Sequence, residues 1–229
     1  VNINGGTLNL GSSTGASNIT LYGNWTRTSG TFIPNNKYVY FGGSGIQTIN
    51  STGGETFSYL VVQNNSTVQL LSAVNVINSN GLSLQSSAAN NIDLNGQTMT
   101  LTGGGNLSLS SGNRTIGSSS GTGIFNVTTS DLTISNGGTL TFASSVEVQI
   151  SKGFDCGTGN ISTINGSLII NNGGFISNNA PIYATNSLLK YNTTGVYGRN
   201  LEWNATTGAS YPYHVQISNN TTLNLGAYV

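Results

Sequence analysis

Apolar and polar residues alternate along most of this chain, in short runs of the form Leu-x-Leu or Val-x-Val. A period of two is typical of β-strands with one buried face. Clusters of Asn, Gly and Ser separate the runs and include four turn dipeptides: Asn80-Gly81, Asn95-Gly96, Asn136-Gly137 and Asn165-Gly166. No stretch of about a dozen residues shows the 3.6-residue period of an amphipathic helix. The pattern therefore predicts an all-β fold.

Every third predicted strand falls into register, with steps of 22 to 25 residues. Three tracks of apolar residues share this period: Leu60, Leu82, Leu107 and Leu132; Val68, Ile92, Ile116 and Leu140; Val74, Met99, Ile124 and Val148. Sandwiches and barrels also contain short strands and turns, but neither predicts a shared period. We therefore predict a right-handed parallel β-helix (β-solenoid), with about three short strands per coil of about 24 residues and about eight to ten coils.

The composition agrees with stacked coils. Asn, Gly, Ser and Thr make up 124 of the 229 residues, whereas only 12 residues are charged and the net charge is zero. Equivalent side chains in stacked coils repeat every ~4.8 Å, so a charge would face a like charge on the next coil. Asn, Ser and Thr instead donate and accept hydrogen bonds along such ladders. The low charge is therefore a consequence of the predicted architecture.

The same composition excludes several classes of function. Six scattered cations in a neutral chain do not suit a phosphate backbone, so we expect no nucleic-acid partner. Cys156 is the only cysteine, which excludes an intrachain disulfide and a cysteine metal cluster. No apolar run approaches the ~18 residues of a membrane span. The chain opens without Met, and we expect it to be a segment of a larger protein.

Sequence similarity within the chain suggests more than one module. The segment from Tyr59 to Leu70 matches Tyr213 to Leu225 with one residue inserted, and Val1 to Gly11 matches Val215 to Gly226. We therefore expect one continuous solenoid over residues 1–229, cut from a long array. Within it, residues 1–80 form one module, 81–187 form regular coils and 188–229 begin the next module.

Two aromatic-rich regions carry a family resemblance. Their segments are Leu21–Thr26 (LYGNWT), Gly30–Phe32 (GTF), Val39–Ile49 (VYFGGSGIQTI) and Phe57–Val62 (FSYLVV), then Tyr191-Asn192, Glu202-Trp203, Tyr211–Tyr213 (YPY) and Val215–Ile217 (VQI). Together they resemble modules of large repetitive surface proteins from Bacteroidota. This resemblance implies export by the type IX secretion system and display at or release from the cell surface, as an adhesin or gliding-motility type of protein.

A catalytic site finds little support in the sequence. Sugar cleavage generally needs two carboxylates facing one bond, and Asp131 with Asp155 or Glu147 are the pairs that one coil would bring closest. Asp131 and Asp155 are also placed to stack on one face. Cys156 and His214 are a conceivable nucleophile and base, but they lie about two coils, or ~10 Å, apart along the axis. We predict no catalytic residue, no metal site and no cofactor.

The aromatic residues are concentrated near the two ends of the chain. An exposed row of them would suit stacking on sugars, whereas buried aromatics would fill a wider core or seal a junction between modules. The burial interpretation is preferred because large aromatics contribute most as buried area. If a carbohydrate platform exists, its candidate residues are Trp25, Trp203, Tyr22, Tyr211 and Tyr213.

The sequence therefore favours a non-catalytic structural or adhesive segment of a long, secreted cell-surface fibre. A carbohydrate-binding module with an aromatic platform is the alternative, and a polysaccharide-degrading β-helix enzyme is the third hypothesis. Expected partners are neighbouring repeats of the same parent chain, surface glycans or abiotic surfaces, and the secretion machinery of the parent protein.

Overall fold

The computed structural model describes residues 1–13, 17–88, 91–135, 137–159 and 161–226. It confirms the predicted all-β class: parallel sheets form a β-solenoid of about 9 turns with about 23 residues per turn. The one helix in the described residues is a single 3₁₀ turn, Leu201–Trp203. No helix there is long and apolar enough to span a membrane.

Three long sheets run along the solenoid, and every strand pair in them is parallel. Strands are numbered β1 to β27 in chain order. Sheet 1 contains β1 (Asn2–Asn9), β3 (Trp25–Ile33), β5 (Ser44–Ser51), β8 (Asn65–Leu70), β11 (Ile92–Asp93), β14 (Gly112–Gly117), β17 (Gly138–Phe142), β20 (Ser162–Ile164) and β23 (Ile182–Tyr183). Sheet 2 contains β2 (Ile19–Leu21), β4 (Tyr38–Phe41), β7 (Tyr59–Val62), β10 (Leu82–Leu84), β13 (Gly105–Leu109), β16 (Leu132–Ser135), β19 (Gly153–Asp155) and β22 (Phe175–Ile176). Sheet 3 contains β6 (Glu55–Phe57), β9 (Val74–Val76), β12 (Thr98–Leu101), β15 (Gly123–Val127), β18 (Val146–Ile150), β21 (Ser167–Asn171), β24 (Leu188–Asn192) and β26 (His214–Ile217). A short pair, β25 (Val196–Gly198) and β27 (Thr222–Asn224), forms a fourth sheet.

The hydrophobic core lies between the three long sheets. Alternate residues of each strand point inward, as in β18, where Val146, Val148 and Ile150 are buried and the two residues between them are half-exposed. Each fully buried aliphatic side chain contributes about 1.5–3 kcal/mol to stability. Because each coil buries its inner residues only against its neighbours, the core is continuous along the axis.

The observed register corrects four of the predicted steps. Leu107 pairs with Ile134 rather than Leu132, and Ile116 pairs with Phe142 rather than Leu140. Both slips are of two residues, so the same face stays inward and no burial is lost. Met99 and Val148, in the coils on either side, both pair with Phe125 rather than with Ile124. This slip of one residue turns the large Phe125 ring into the core and leaves Ile124 on the outer face.

The longer repeat does not place its two copies in equivalent strands. β7 and β8, which carry the first copy, belong to sheets 2 and 1, whereas β26 and β27 of the second copy belong to sheet 3 and the fourth sheet. The 3₁₀ turn and the surrounding irregular segment lie between β25 and β26. Because of this inserted segment, the second copy begins in a different sheet of the coil from the first copy.

The corners of the coils use Asn as well as Gly for left-handed backbone. Nine of the ten described non-glycine residues with positive φ are Asn, including Asn80 (φ 59°) and Asn95 (φ 48°) of the predicted turn dipeptides. Asn tolerates this left-handed conformation better than most residues do. The predicted dipeptide at Asn136 lies partly outside the described residues. The high Asn content thus serves the turns as well as the polar ladders.

Candidate functional site

The outer face of sheet 2 carries a cluster of aromatic side chains near the N-terminal end of the solenoid. We call Tyr38, Tyr40, Tyr59 and Val61 the tyrosine cluster. Tyr38 in β4 pairs directly with Tyr59 in β7, so the register of the sheet stacks one ring on the other. The two ring centroids are 4.3 Å apart and the planes differ by 16°. The Tyr38 and Tyr40 rings are 5.7 Å apart and differ by 21°. Three tyrosine rings are therefore nearly parallel.

Val61 shows how closely these rings cover the sheet. It pairs with Tyr40 and faces outward, since Leu60 and Val62 on either side of it belong to the core cluster. Nevertheless, only 2% of Val61 is exposed. The tyrosine rings thus bury an apolar residue on the outside of the solenoid, which forms a small hydrophobic cluster separate from the core. Tyr38 itself remains 37% exposed.

Burial raises the pKa of Tyr38, and the neighbouring Tyr59 and Tyr40 raise it further. The Tyr38 hydroxyl is therefore neutral at physiological pH and available as a hydrogen-bond donor and acceptor at the edge of the cluster. A neutral phenol beside an apolar ring combines a stacking face with a polar tip.

Polar groups, most of them neutral, lie at the corner next to the tyrosine cluster. Asn78 Nδ2 donates to Asn36 Oδ1 at 2.9 Å, across two coils, at the corner that precedes β4 and β10. The backbone N–H of Asn36 donates to Ser58 Oγ at 3.1 Å. Lys37 lies at the same corner, and its ammonium donates to the backbone carbonyl of Ser13. The Lys37 charge is therefore directed to the adjacent coil.

Hydroxyl groups continue the outer face of sheet 2 beyond the cluster. Strand pairing places Ser83, Ser108 and Ser135 in one row with Val61, each in a successive coil. All three serines are partly exposed. Gly81 lies opposite Tyr59 in the next coil, because Leu82 pairs with Leu60. Having no side chain, Gly81 does not extend the ring stack, and the outer face changes there from aromatic to hydroxyl-bearing.

Trp25, one of the predicted platform residues, is a core residue. It has no exposed surface, and its ring packs edge-on against Phe32 (4.6 Å) and Phe57 (5.3 Å). Its indole N–H donates to Glu55 Oε2 at 2.7 Å. Trp25 therefore presents no face to a sugar, and the expectation of a platform residue does not hold at this position. Burial, the preferred interpretation of the aromatics, applies to it.

Glu55 is the centre of a buried polar network around Trp25. Its Oε2 atom accepts three hydrogen bonds, from Trp25 Nε1, from Arg27 Nε at 2.9 Å and from Ser51 Oγ at 2.8 Å. Arg27 also donates to the carbonyl of Gly54 at 2.5 Å. Arg27 and Glu55 line a groove of about 410 Å³. The network satisfies the indole N–H and ties sheets 1 and 3 together at this end.

The four other predicted platform residues do not form one surface with Trp25. Tyr22 follows β2 and is 77% exposed, whereas Trp203 is half-buried in the 3₁₀ turn and packs against the core. Tyr211 and Tyr213 are 50% and 53% exposed and lie beside β26, near the other end of the solenoid. The Tyr213 ring contacts His214 edge-on at 4.7 Å. Tyr211 and Tyr213 are therefore the exposed predicted pair.

A buried carboxyl group lies close to Trp203. Glu202 has no exposed surface, and its Oε1 accepts bonds from the Tyr191 hydroxyl (3.0 Å) and the backbone N–H of Asn200 (2.9 Å). The Tyr183 hydroxyl donates to the Glu202 carbonyl at 2.9 Å. Burial raises the pKa of Glu202 despite the bonds from Asn200 and Tyr191, which lower it. The environment of Glu202 is a packed tyrosine shell at the C-terminal end.

The other carboxylates with described contacts accept hydrogen bonds from residues at the corners or in the strands. Asp93 accepts bonds from the Asn95 and Ser119 backbone N–H groups, from Ser119 Oγ and from Gln69 Nε2, thereby joining three coils. Burial would raise the pKa of Asp93, but these four bonds outweigh it and hold the pKa below its ordinary value. Asp131 accepts from the Gly153 N–H at 2.8 Å.

Asp155 and Glu147 also accept hydrogen bonds from neighbouring groups of the solenoid. Asp155 accepts bonds from the Gly157 N–H and from the side-chain amides of Asn178 and Asn179. It pairs with Thr133 in register, so it does not stack on Asp131. Glu147 lies on sheet 3 and accepts from Gln149 Nε2 at 3.0 Å. The carboxylates considered for sugar cleavage therefore bond to corners or to their own strand.

Cys156 and His214 are in different environments. Cys156 directly follows β19 and is fully buried. Burial raises the pKa of its thiol well above the ordinary value, and the Asp155 charge raises it further. His214 is exposed on β26 in sheet 3. A buried, neutral thiol is a packing residue rather than a nucleophile. Within the described residues, no group of three or more His, Cys, Asp or Glu side chains is placed to hold a metal ion.

The sequence interpretation did not single out the tyrosine cluster, although a signal for it exists. Tyr38 and Tyr40 alternate with Val39 and Phe41, which places both tyrosines on one face of a strand. Tyr59 directly precedes Leu60, the first residue of one of the apolar tracks. Aligning that track with Val39 would have stacked Tyr38 on Tyr59. No protein-family model, curated protein or solved structure matches this chain.

Proposed function

We propose that this chain is a non-catalytic structural segment of a long, secreted cell-surface fibre or adhesin. The observation that carries the proposal is the stacking of about 9 parallel coils on one continuous core. A solenoid of this kind grows in one dimension without changing its cross-section, because each coil needs only its neighbours. Such a segment separates whatever lies at its two ends by a fixed distance.

The distribution of polar groups supports this proposal. The outer faces carry mainly uncharged side chains, and the ladders between coils include Asn192 to Asn171 (2.8 Å) and Thr139 to Asn113 (2.9 Å). Uncharged polar ladders keep the surface hydrated without repulsion between stacked like charges. The carboxylates bond to corner backbone, to neighbouring coils or to buried partners, which is the role expected of structural groups.

The cellular location rests on the resemblance of the two aromatic-rich regions to repetitive surface proteins of Bacteroidota. We propose export and surface display on that basis, with neighbouring repeats of the parent chain as the direct structural partners.

The test is labelling of intact source cells with an antibody raised against this chain, followed by attachment assays with its Fab fragment. Surface labelling together with blocked attachment is the result expected for an adhesin segment. Surface labelling without blocking identifies a passive spacer and removes the adhesive part of the proposal. Labelling found only inside lysed cells contradicts the proposal as a whole.

A further inference from the structure

We propose that the free edge of β26 and β27 binds strand β3 of a second copy of this chain, in the place that β1 holds in that copy. Successive copies then share one repeated segment and continue as a single solenoid. This joint deepens the proposed spacer function, on which it rests, because it supplies the surface and the partner that lengthen the spacer.

The segment Val215–Gly226 has the same local structure as Val1–Gly11, which it matches in sequence. Both segments turn a corner through two consecutive residues with positive φ: Gly5 (93°) and Gly6 (69°), Asn219 (53°) and Asn220 (56°). Both end in the same side-chain cap: Gly11 N–H to Asn9 Oδ1 (2.8 Å), Gly226 N–H to Asn224 Oδ1 (3.0 Å). The partner of one segment is therefore a guide to the partner of the other.

The first halves of the two segments are paired along opposite edges. The backbone N–H groups of His214 and Ser218 donate to carbonyls of the preceding coil, at 3.0 and 2.8 Å. Because the backbone groups of successive residues in a parallel strand face alternate sides, those of Val215 face the free edge. In β1, the equivalent Val1 carbonyl faces β3 and accepts from the Thr26 N–H at 2.9 Å. The free edge of β26 thus presents the groups that β3 binds in β1.

The second halves show the same relation. The Thr222 N–H donates to the Gly195 carbonyl at 2.8 Å, so alternation turns the backbone groups of Leu225 to the free edge. The equivalent residue in the N-terminal segment, Leu10, donates its N–H to the Ile33 carbonyl of β3 at 3.1 Å. Among the described strands, β26 is paired only with β24, and β27 only with β25.

The apolar side chains along this edge lack the cover that their counterparts have. Ile217 and Leu225 are 53% and 50% exposed, whereas Ile3 and Leu10 are each 6% exposed. Each segment lies against one neighbouring coil, so the β3 coil covers positions that the β24 coil leaves half-exposed. Docking of a second β3 would bury these side chains, which favours association.

The remaining groups do not oppose the joint. Neither repeated segment contains a charged side chain, and Arg27, the one charged residue of β3, is paired with Glu55 at 2.9 Å. The one residue inserted at the corner, Thr221, bonds in the other direction. Its hydroxyl donates to the Thr193 carbonyl at 2.7 Å and accepts from the Thr193 N–H at 2.9 Å. The insertion is therefore held by the preceding coil.

The first experiment weakens one repeated segment at a time in the full-length chain. Leu8→Asp/Leu10→Pro, the β1 variant, loosens β1 and frees the edge of β3. Leu223→Asp/Leu225→Pro makes the equivalent changes at the proposed joint, and the combined variant carries all four. Sedimentation equilibrium and negative-stain electron microscopy report assembly, while far-UV circular dichroism and urea midpoints establish that each variant is folded.

We expect the β1 variant to form linear chains, with a weight-average mass that at least doubles between about 10 and 300 µM. The combined variant should stay monomeric, because its joint is disabled. The wild type should assemble less than the β1 variant, because its own β1 competes at a high effective concentration. A monomeric β1 variant, or equal assembly of the β1 and combined variants, would overturn the proposal.

A tandem chain keeps every native residue of the joint and does not depend on loosening β1. Residues 1–226 are followed directly by residues 12–229, so that β26 and β27 take the place of β1 in the second copy. Spin labels are attached at Gln149→Cys in the first copy and Asn50→Cys in the second, with Cys156→Ser in both. The register row between the labels runs through four residues: Ile169, Lys190, Gln216 and, in the second copy, Thr26.

Double electron–electron resonance on this tandem chain should give a narrow distribution centred at ~24 Å, because the labels are five coil spacings apart. The same tandem with Leu223→Asp/Leu225→Pro at the joint should lose the narrow peak. A broad distribution in the unmodified tandem, or the same peak in both chains, would overturn the proposal. Such a failure leaves the spacer function standing, because the distances within one copy do not depend on the joint.

Discussion

Removing the Glu55 carboxylate should destabilise the N-terminal end of the solenoid more than any single surface change. In Glu55→Ala, the indole N–H of the fully buried Trp25 loses its 2.7 Å acceptor. An unsatisfied buried donor costs about 1–3 kcal/mol. Arg27 loses its ion pair as well, but its side chain is 17% exposed, so solvent compensates part of that loss. We expect a total loss of about 3–5 kcal/mol in the free energy of unfolding.

The matched variants separate charge from shape. Glu55→Gln keeps one oxygen as an acceptor for the indole and should cost about 1–2 kcal/mol. Glu147→Gln, on the outer face, affects only the bond from Gln149 Nε2 and should stay within about 0.5 kcal/mol of the wild type. Urea unfolding followed by circular dichroism and tryptophan fluorescence gives the values. Trp25→Phe should cost less in the Glu55→Ala background than in the wild type, by about 1 kcal/mol or more. A Glu55→Ala variant as stable as Glu147→Gln would refute this reasoning.

Three further changes test other parts of the structure. Asp93→Asn should cost about 1–3 kcal/mol in the free energy of unfolding at neutral pH. Because the folded pKa of Asp93 is lowered, the wild type should lose this extra stability as pH falls through that pKa. Urea midpoints measured between about pH 5 and 2 would reveal the loss. The folded pKa of Glu202 is raised, so its contribution to stability is fully present below its unfolded pKa and is lost as pH rises through the folded pKa. Glu202→Gln should flatten this dependence in urea midpoints measured upward from about pH 4 to about pH 8, and an unchanged slope would exclude it. Gly103→Ala would place a Cβ 2.1 Å from the Asn78 carbonyl carbon and should lower the free energy of unfolding by at least about 2 kcal/mol. In the control Gly137→Ala, the added Cβ has no atom within 4 Å, so stability should not change. Equal thermal midpoints for the two variants would contradict the packing at Gly103.

The coil architecture was predictable because two periodicities coincide in the sequence. Alternation places residues such as Val148 inward, and the longer period brings equivalent strands together, so the fold class follows from both patterns. The exact register was not predictable. Leu132 and Ile134 are both 1% exposed, so pairing Leu107 with either of them buries the same face. The choice depends on contacts at the corner, such as the Gly105 N–H donating to the Asp131 carbonyl at 2.7 Å.

The candidate site was less predictable than the fold. Trp25 follows the polar segment Tyr22–Asn24, and its burial depends on Glu55 and Phe57, which lie about one coil further along the chain. A local pattern does not contain that information. The tyrosine cluster, by contrast, is predictable from the sequence pattern, because its rings are brought together by the register of neighbouring strands. Once Tyr38 is aligned with Tyr59, their stacking on the outer face follows from alternation.

The most direct test of a rigid parallel solenoid is a series of distances along one register row. The row on the outer face of sheet 2 runs from Thr20 through Tyr40, Val61 and Ser83 to Ser108 and Ser135. Spin labels at Thr20→Cys with Ser108→Cys or with Ser135→Cys, in a Cys156→Ser background, allow both distances to be measured by double electron–electron resonance. We expect narrow distributions centred at ~19 Å and ~24 Å, because the two pairs are four and five coil spacings apart. Broad distributions, or equal distances for the two pairs, would contradict a rigid stack of parallel coils.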